Sequence, residues 1–208
     1  MLSLEELVFK KGFLCYRVRK NRDIYTLSRI LKSIGVRKFE ITMKGNRKCI
    51  EIPSKILENN YNILLVRLYI ISYILDAPFT LVVGVDPGQR NTGVAILVNN
   101  ILAYSSIYHN YLSLGSLLSA IIRYISINRI IVKIGFTHSN APITREIMRN
   151  LKQVLEKVRK IDYSIILVNE EDARKLMVET FLKKKKTNPH IISALKIALW
   201  QSWKDYRR

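Results

Sequence analysis

Val83-Gly84-Val85-Asp86-Pro87-Gly88-Gln89-Arg90-Asn91-Thr92-Gly93-Val94-Ala95-Ile96-Leu97 is the stretch whose reading decides the fold. An apolar run ends in one carboxylate, turns through Pro87-Gly88, and returns as a second apolar run. Two such runs joined by a glycine turn predict a pair of buried strands. Asp86 then stands at the open end of a strand, where backbone without a side chain lets a phosphate or a metal ion come close. The bland alternative is a turn aspartate, a favoured residue before Pro-Gly. Gly88, Gly93 and the apolar runs on both sides favour the functional reading.

Working outward from the hairpin, strands are predicted near 80–86, 92–98 and 101–108, the last two joined by an Asn99-Asn100 turn. A helix over 112–125 follows, then a strand over 129–136 and a helix over 143–160. A fifth strand covers 164–169. Asn188-Pro189 opens a last helix reaching to about Tyr206, with Asn as cap and Pro in the first turn. Upstream, residues 12–20 alternate toward their end like a strand. Residues 23–35 form a helix with Ile24, Leu27, Ile30, Leu31 and Ile34 on one stripe and Gly35 as its stop. Runs at 38–43 and 47–52, linked by Lys44-Gly45-Asn46, read as a hairpin, and Pro53-Ser54 opens one long helical stretch to about Leu75. Asp76-Ala77-Pro78-Phe79 is the expected boundary between a small basic β-α-β-β-α domain of unknown type at 1–78 and a second domain at 79–208.

Three antiparallel strands followed by alternating helices and strands resemble the RuvC-like branch of the ribonuclease H superfamily. The resemblance is carried by the Asp86 hairpin and by Thr187-Asn188-Pro189-His190-Ile191-Ile192-Ser193-Ala194-Leu195-Lys196-Ile197-Ala198. It implies an α/β fold: a ribonuclease H-like (RuvC-like) mixed sheet flanked by helices. It also implies a nuclease site whose carboxylates come from the first strand, the fourth strand and two positions three apart on the last helix, converging on Mg²⁺. Asp86 matches the first position and His190 the third. Lys133 stands where the fourth strand normally carries Glu, and Ser193 where the helix normally carries its second acid. An ammonium has no lone pair for a metal; if Lys133 points toward Asp86, it substitutes for the metal's charge. Two of four positions survive, a poor cage for a hard cation. Ile192, Leu195, Leu199 and Trp203 form the buried stripe of that helix. A related branch, the YqgF-like proteins, carries an acid near Glu170-Glu171-Asp172. The preferred account of that triplet is charge at the start of a helix over 172–181.

Charge points to the partner. Lys and Arg number 35 against 16 Asp and Glu, a net charge of +19. Up to residue 80 there are 15 basic and 7 acidic residues, and beyond it 20 and 9, so neither part is a mere basic tail. Such a field implies a polyanion, nucleic acid before membrane. The candidate contacts are Lys10, Lys11, Arg17, Arg19, Lys20 and Arg22, interleaved with Phe13 and Tyr16, together with the loop Lys183, Lys184, Lys185 and Lys186. The helix over 143–160 adds Arg145, Arg149, Lys152, Lys157, Arg159 and Lys160, but basic residues on every segment leave the face open. Cys15 and Cys49 lack the spacing of a zinc site and are expected as buried thiols in a reducing cytoplasm, with a disulfide as the alternative. No secretory signal is visible, and the run from Ile63 to Leu75 is too short to span a membrane.

The expectation is therefore a protein that binds branched DNA or structured RNA selectively, with a degenerate nuclease site and no resident cofactor. One rival is an active Holliday-junction-type endonuclease using Mg²⁺ or Mn²⁺, with Asp86 as a metal ligand. The other is a structural subunit of a ribonucleoprotein or protein assembly. The resemblance also implies a homodimer.

Overall fold

A computed structural model describes residues 14–36, 38–44, 49–76, 78–158, 161–178 and 187–200. The chain divides into two compact units, 1–79 with 120–126, and 80–119 with 127–208.

In the first unit, β1 (Leu14–Arg17) is the central strand of a three-stranded sheet, between β2 (Phe39–Thr42) and β3 (Ile50–Glu51). Both neighbours run parallel to it. The hairpin expected between residues 38–43 and 47–52 is thus corrected, because the two strands pair with β1 and not with each other. Tyr16 and Ile50, cross-strand partners, are both buried, so core packing outweighed the local Gly45 turn signal. Helix α1 (Asn21–Ser33) buries Leu27, Ile30 and Leu31. It stops at Gly35, whose φ of 87° suits glycine, with the Val36 amide donating to the Leu31 carbonyl.

The long helix expected from Ser54 to Leu75 is two helices, α2 (Ser54–Leu57) and α3 (Asn62–Leu75). Asn59 breaks the run: its side chain accepts from the Tyr61 amide and its carbonyl from the Asn62 amide. Short polar side chains that bond the backbone two residues on favour turns over helix. Cys15 and Cys49 are joined by a disulfide with Cα atoms 4.5 Å apart. This corrects the expectation of thiols. Cys15 lies on β1 and Cys49 just before β3, and the pairing of those two strands brings the cysteines together.

The second unit is built on a five-stranded sheet of order β6-β5-β4-β7-β8, comprising β4 (Phe79–Asp86), β5 (Thr92–Val98), β6 (Ile101–Tyr108), β7 (Ile127–Phe136) and β8 (Asp162–Asn169). β4–β5 and β5–β6 are antiparallel, and β7–β8 is parallel. Asn99 and Asn100 both take positive φ, as a two-residue hairpin requires. Helices α4 (Ser113–Tyr124), α5 (Ala141–Glu156), α6 (Glu170–Arg174) and α7 (Pro189–Leu199) complete the described elements.

The last helix lies close against the strands because glycines admit it. A Cβ on Gly84 of β4 would lie 2.2 Å from the Ala194 carbonyl oxygen, and one on Gly93 of β5 would lie 2.1 Å from that of His190. Ala194, Leu195 and Ala198 of α7 are packed with Ala95, Leu97 and Val178 in one core cluster. No helix among the described residues is long and apolar enough to cross a membrane.

Candidate functional site

Strand alternation puts Gly84 and Asp86 on one face of β4, the face covered by α7. Asp86 pairs with Gly93 across the hairpin, and Gly93 carries the start of the helix. The local sequence therefore delivers His190 to Asp86. Asn188 caps α7 by accepting from the His190 amide at 3.0 Å. The imidazole sits next to Gly88, where an added Cβ would come within 3.3 Å of His190 Cε1. His190 Nδ1 and Asp86 Oδ2 are hydrogen-bonded at 2.7 Å. The Asp86 side chain is only 10% exposed, against 37% for His190.

A second carboxylate enters from α6. Glu170 follows β8 directly, and its side chain is 13% exposed. It occupies space left by Gly135 of β7, whose added Cβ would lie 2.9 Å from Glu170 Oε1. Asn140, before α5, donates from Nδ2 to Glu170 Oε1 at 2.7 Å, and its Oδ1 accepts from the Thr137 amide at 2.8 Å. Arg174 approaches the other oxygen at 3.9 Å. Burial raises the pKa of Asp86, opposed by the His190 hydrogen bond. Burial also raises that of Glu170, and the Asp86 charge raises it further. Two buried acids that feel each other hold protons above their ordinary range.

Glu170 opens α6, whose first turn carries Glu170, Glu171 and Asp172 as the helix-start reading has it, and its side chain also lies within electrostatic reach of Asp86. Asn140 was not singled out at all; its signal was the Asn-Ala-Pro opening of a helix, which says cap and not site.

Lys133 is not in the site. Its ammonium is buried and donates to the carbonyls of Ala198 and Trp200, at the far end of α7 from His190. Eight residues of helix separate these ends by about 12 Å. The idea that Lys133 neutralises Asp86 is therefore corrected: it satisfies carbonyls that a helix C-terminus leaves without intrahelical donors. The residue of β7 at the level of the carboxylates is Gly135, two positions on and on the same face. Ser193 is half-buried one turn after His190, as i, i+3 spacing requires.

A two-metal centre needs a converging set of oxygen donors. Mg²⁺ demands several oxygens around each ion. Among the described residues no group of three His, Cys, Asp or Glu side chains is placed to hold a metal ion. Asp86 Oδ2 is engaged by an imidazole and Glu170 Oε1 by an amide.

Of the expected nucleic-acid contacts, Lys10, Lys11 and Lys183–Lys186 lie outside the described residues, as do Phe13 and Trp203. Arg17 and Arg19 both donate to Glu51, and Lys20 and Arg22 to Glu58. Arg19 first, then Arg17, hold the Glu51 carboxyl below its usual value; Lys20 does most of the same for Glu58. Tyr16 is fully buried, with its ring edge-on to Phe39. It belongs to the core and not to a binding surface.

Among solved structures, RuvC of T. thermophilus in complex with Holliday junction substrate is 14% identical, covering 57% of this chain and 90% of that one at a TM-score of 0.45. The Thermus thermophilus RuvC structure is 12% identical with the same coverage and a TM-score of 0.43. The human cytomegalovirus terminase nuclease domain, Mn soaked, is 15% identical over 50% and 60%, at 0.37. No family model matches the chain, and no curated protein matches it in sequence. Its own strand order is what places it: three antiparallel strands, then two more alternating with helices, under a final helix. The second unit has a ribonuclease H-like fold. This arrangement brings Asp86, Glu170 and His190 together at one end of the sheet.

Proposed function

We propose that the chain binds structured nucleic acid, branched DNA or folded RNA, and that its RuvC-like site no longer assembles a two-metal nuclease centre. The observation that carries the binding is the excess of 35 Lys and Arg over 16 Asp and Glu, which leaves a net charge of +19. The Asp86–His190 hydrogen bond supports the second half. Among the described residues, an imidazole engages one oxygen of Asp86, the strand-end carboxylate that matches the nuclease pattern, and Ser193 brings no charge. Asp86 and Glu170 then serve as a buried pair of acids, each with its pKa raised by burial, that orders the hairpin and the α5 start.

The test is anisotropy and nicking on one preparation. A labelled four-way junction and a folded RNA should bind with strong salt dependence, each phosphate contact to duplex adding about −0.9 to the slope of log K on log salt. Neither should be cut in millimolar Mg²⁺ or Mn²⁺. Cutting that disappears in Asp86→Asn would replace this reading with an active metal-dependent endonuclease. One observation favours that second reading: Glu170 lies within electrostatic reach of Asp86 while the Lys133 ammonium is bonded at the far end of α7, so two carboxylates share the site. A wild-type protein that binds neither probe would leave the role of an assembly subunit.

A further inference from the structure

Basic residues are spread along the chain, but their partners sort them. In the first unit Arg17, Arg19, Lys20 and Arg22 each face Glu51 or Glu58. On α5 the situation is different. Among the described residues no acidic side chain pairs with Arg145 or Arg149, and Lys152 meets Glu156 at 3.7 Å one turn on. All three side chains are exposed. Spacings of four and three put them on one stripe of the helix, about 10 Å long at 1.5 Å per residue.

The stripe borders a cavity of about 530 Å³ between α5 and β8, the outer strand of the sheet. Met148, Tyr163 and Ile165 line it. Tyr163 and Ile165 share one face of β8 by alternation; Ile166 and Val168 on the other face pack with Ala173 and Ile197. The cavity thus has an apolar, ring-bearing floor and a cationic rim. Its volume is that of a small-ligand pocket, too small for a duplex. Asn140, which holds Glu170, stands five residues before Arg145, about 7.5 Å along the helix axis.

We infer that this groove binds single-stranded nucleic acid, with Arg145, Arg149 and Lys152 on successive phosphates and a base stacked on Tyr163. The inference rests on the nucleic-acid reading above and adds a contact surface to it: a strand leaving a branch point near the site would continue along α5. An acidic peptide would meet the same cations but would give the Tyr163 ring no planar partner.

The test uses the full chain, a labelled oligothymidylate, a labelled four-way junction and polyglutamate as competitor. The Arg145→Ala, Arg149→Ala, Lys152→Ala triple variant should bind the oligonucleotide at least about tenfold more weakly. Its salt slope should fall by about 2, three contacts at roughly 0.7 each on single strands. Tyr163→Ala should weaken binding about tenfold with the slope unchanged, as loss of one stacked base does. Both variants should keep the wild-type circular dichroism and melting temperature. Wild-type oligonucleotide affinity and slope in the triple variant would overturn the groove; if junction binding persists, the proposed function still stands. Oligonucleotide binding displaced by polyglutamate at equal charge would overturn it in favour of a peptide site. No binding of either nucleic acid by the wild type would bring down both.

Discussion

The two ends of α7 each meet a buried ion of opposite sign, and the two ions are treated differently. At the C-terminus the Lys133 ammonium is held by the Ala198 and Trp200 carbonyls. At the N-terminus Asp86 has one imidazole and a second acid, Glu170, within electrostatic reach. A cation at a helix C-terminus is favoured by the dipole and by the orphan carbonyls, so Lys133 gains from its place. Two acids sharing a desolvated pocket oppose each other, so Asp86 and Glu170 do not. The comparison separates a residue kept for stability from residues whose placement stability does not explain.

Lys133→Met should show the largest effect. It leaves one buried and one part-buried carbonyl without a charged donor, a loss of about 3 kcal/mol in urea unfolding, with nucleic-acid affinity of the folded protein unchanged. A variant that keeps its stability but changes affinity would break the distinction between the two ends. Gly84→Ala comes next, since its Cβ would meet the Ala194 carbonyl and the Ala198 backbone. Overpacking of this kind costs about 1–3 kcal/mol, read from the same unfolding curves.

The N-terminal end should report itself through pH. Folding raises the pKa of both acids above their ordinary 3.8 and 4.5, so the folded state binds more protons than the unfolded one in that window. Their stabilising contribution is full below those values and is lost as pH rises through the folded values. The Asp86→Asn, Glu170→Gln double variant should show a flatter stability profile there, measured by denaturation at a series of pH values. An unchanged profile would remove the idea of a strained acid pair. Ser193→Asp should give the smallest change. It adds a carboxylate one turn from His190 and should create Mn²⁺ affinity, seen as about 1.4 kcal/mol of stabilisation at ten times Kd. The wild type should gain less.

Local signals were legible where one segment decides. The Asp86 hairpin, the Asn99-Asn100 turn and the Asn188-Pro189 helix start each carry their own chemistry, and the structure has all three. The β2–β3 hairpin was misread because a turn signal says nothing about a third strand entering between its arms. Where Lys133 points is not legible in the sequence for a related reason: Lys133 and Gly135 share a strand face, and a period of two cannot say which one lies level with Asp86. Glu170 and Asn140 come from other segments, joined to the site only by packing across the sheet. Their residue types fit ordinary helix starts, so their role became visible only in three dimensions.

The Cys15–Cys49 bond closes a loop with a sequence separation of 34. In the chain-entropy view, such a loop is worth about 4 kcal/mol, a large share of what holds a small domain together. The thiol content of the buffer therefore becomes an experimental variable for the first unit. A sample handled in reductant and one handled in air are thermodynamically two different proteins, and affinities measured on them should not be pooled.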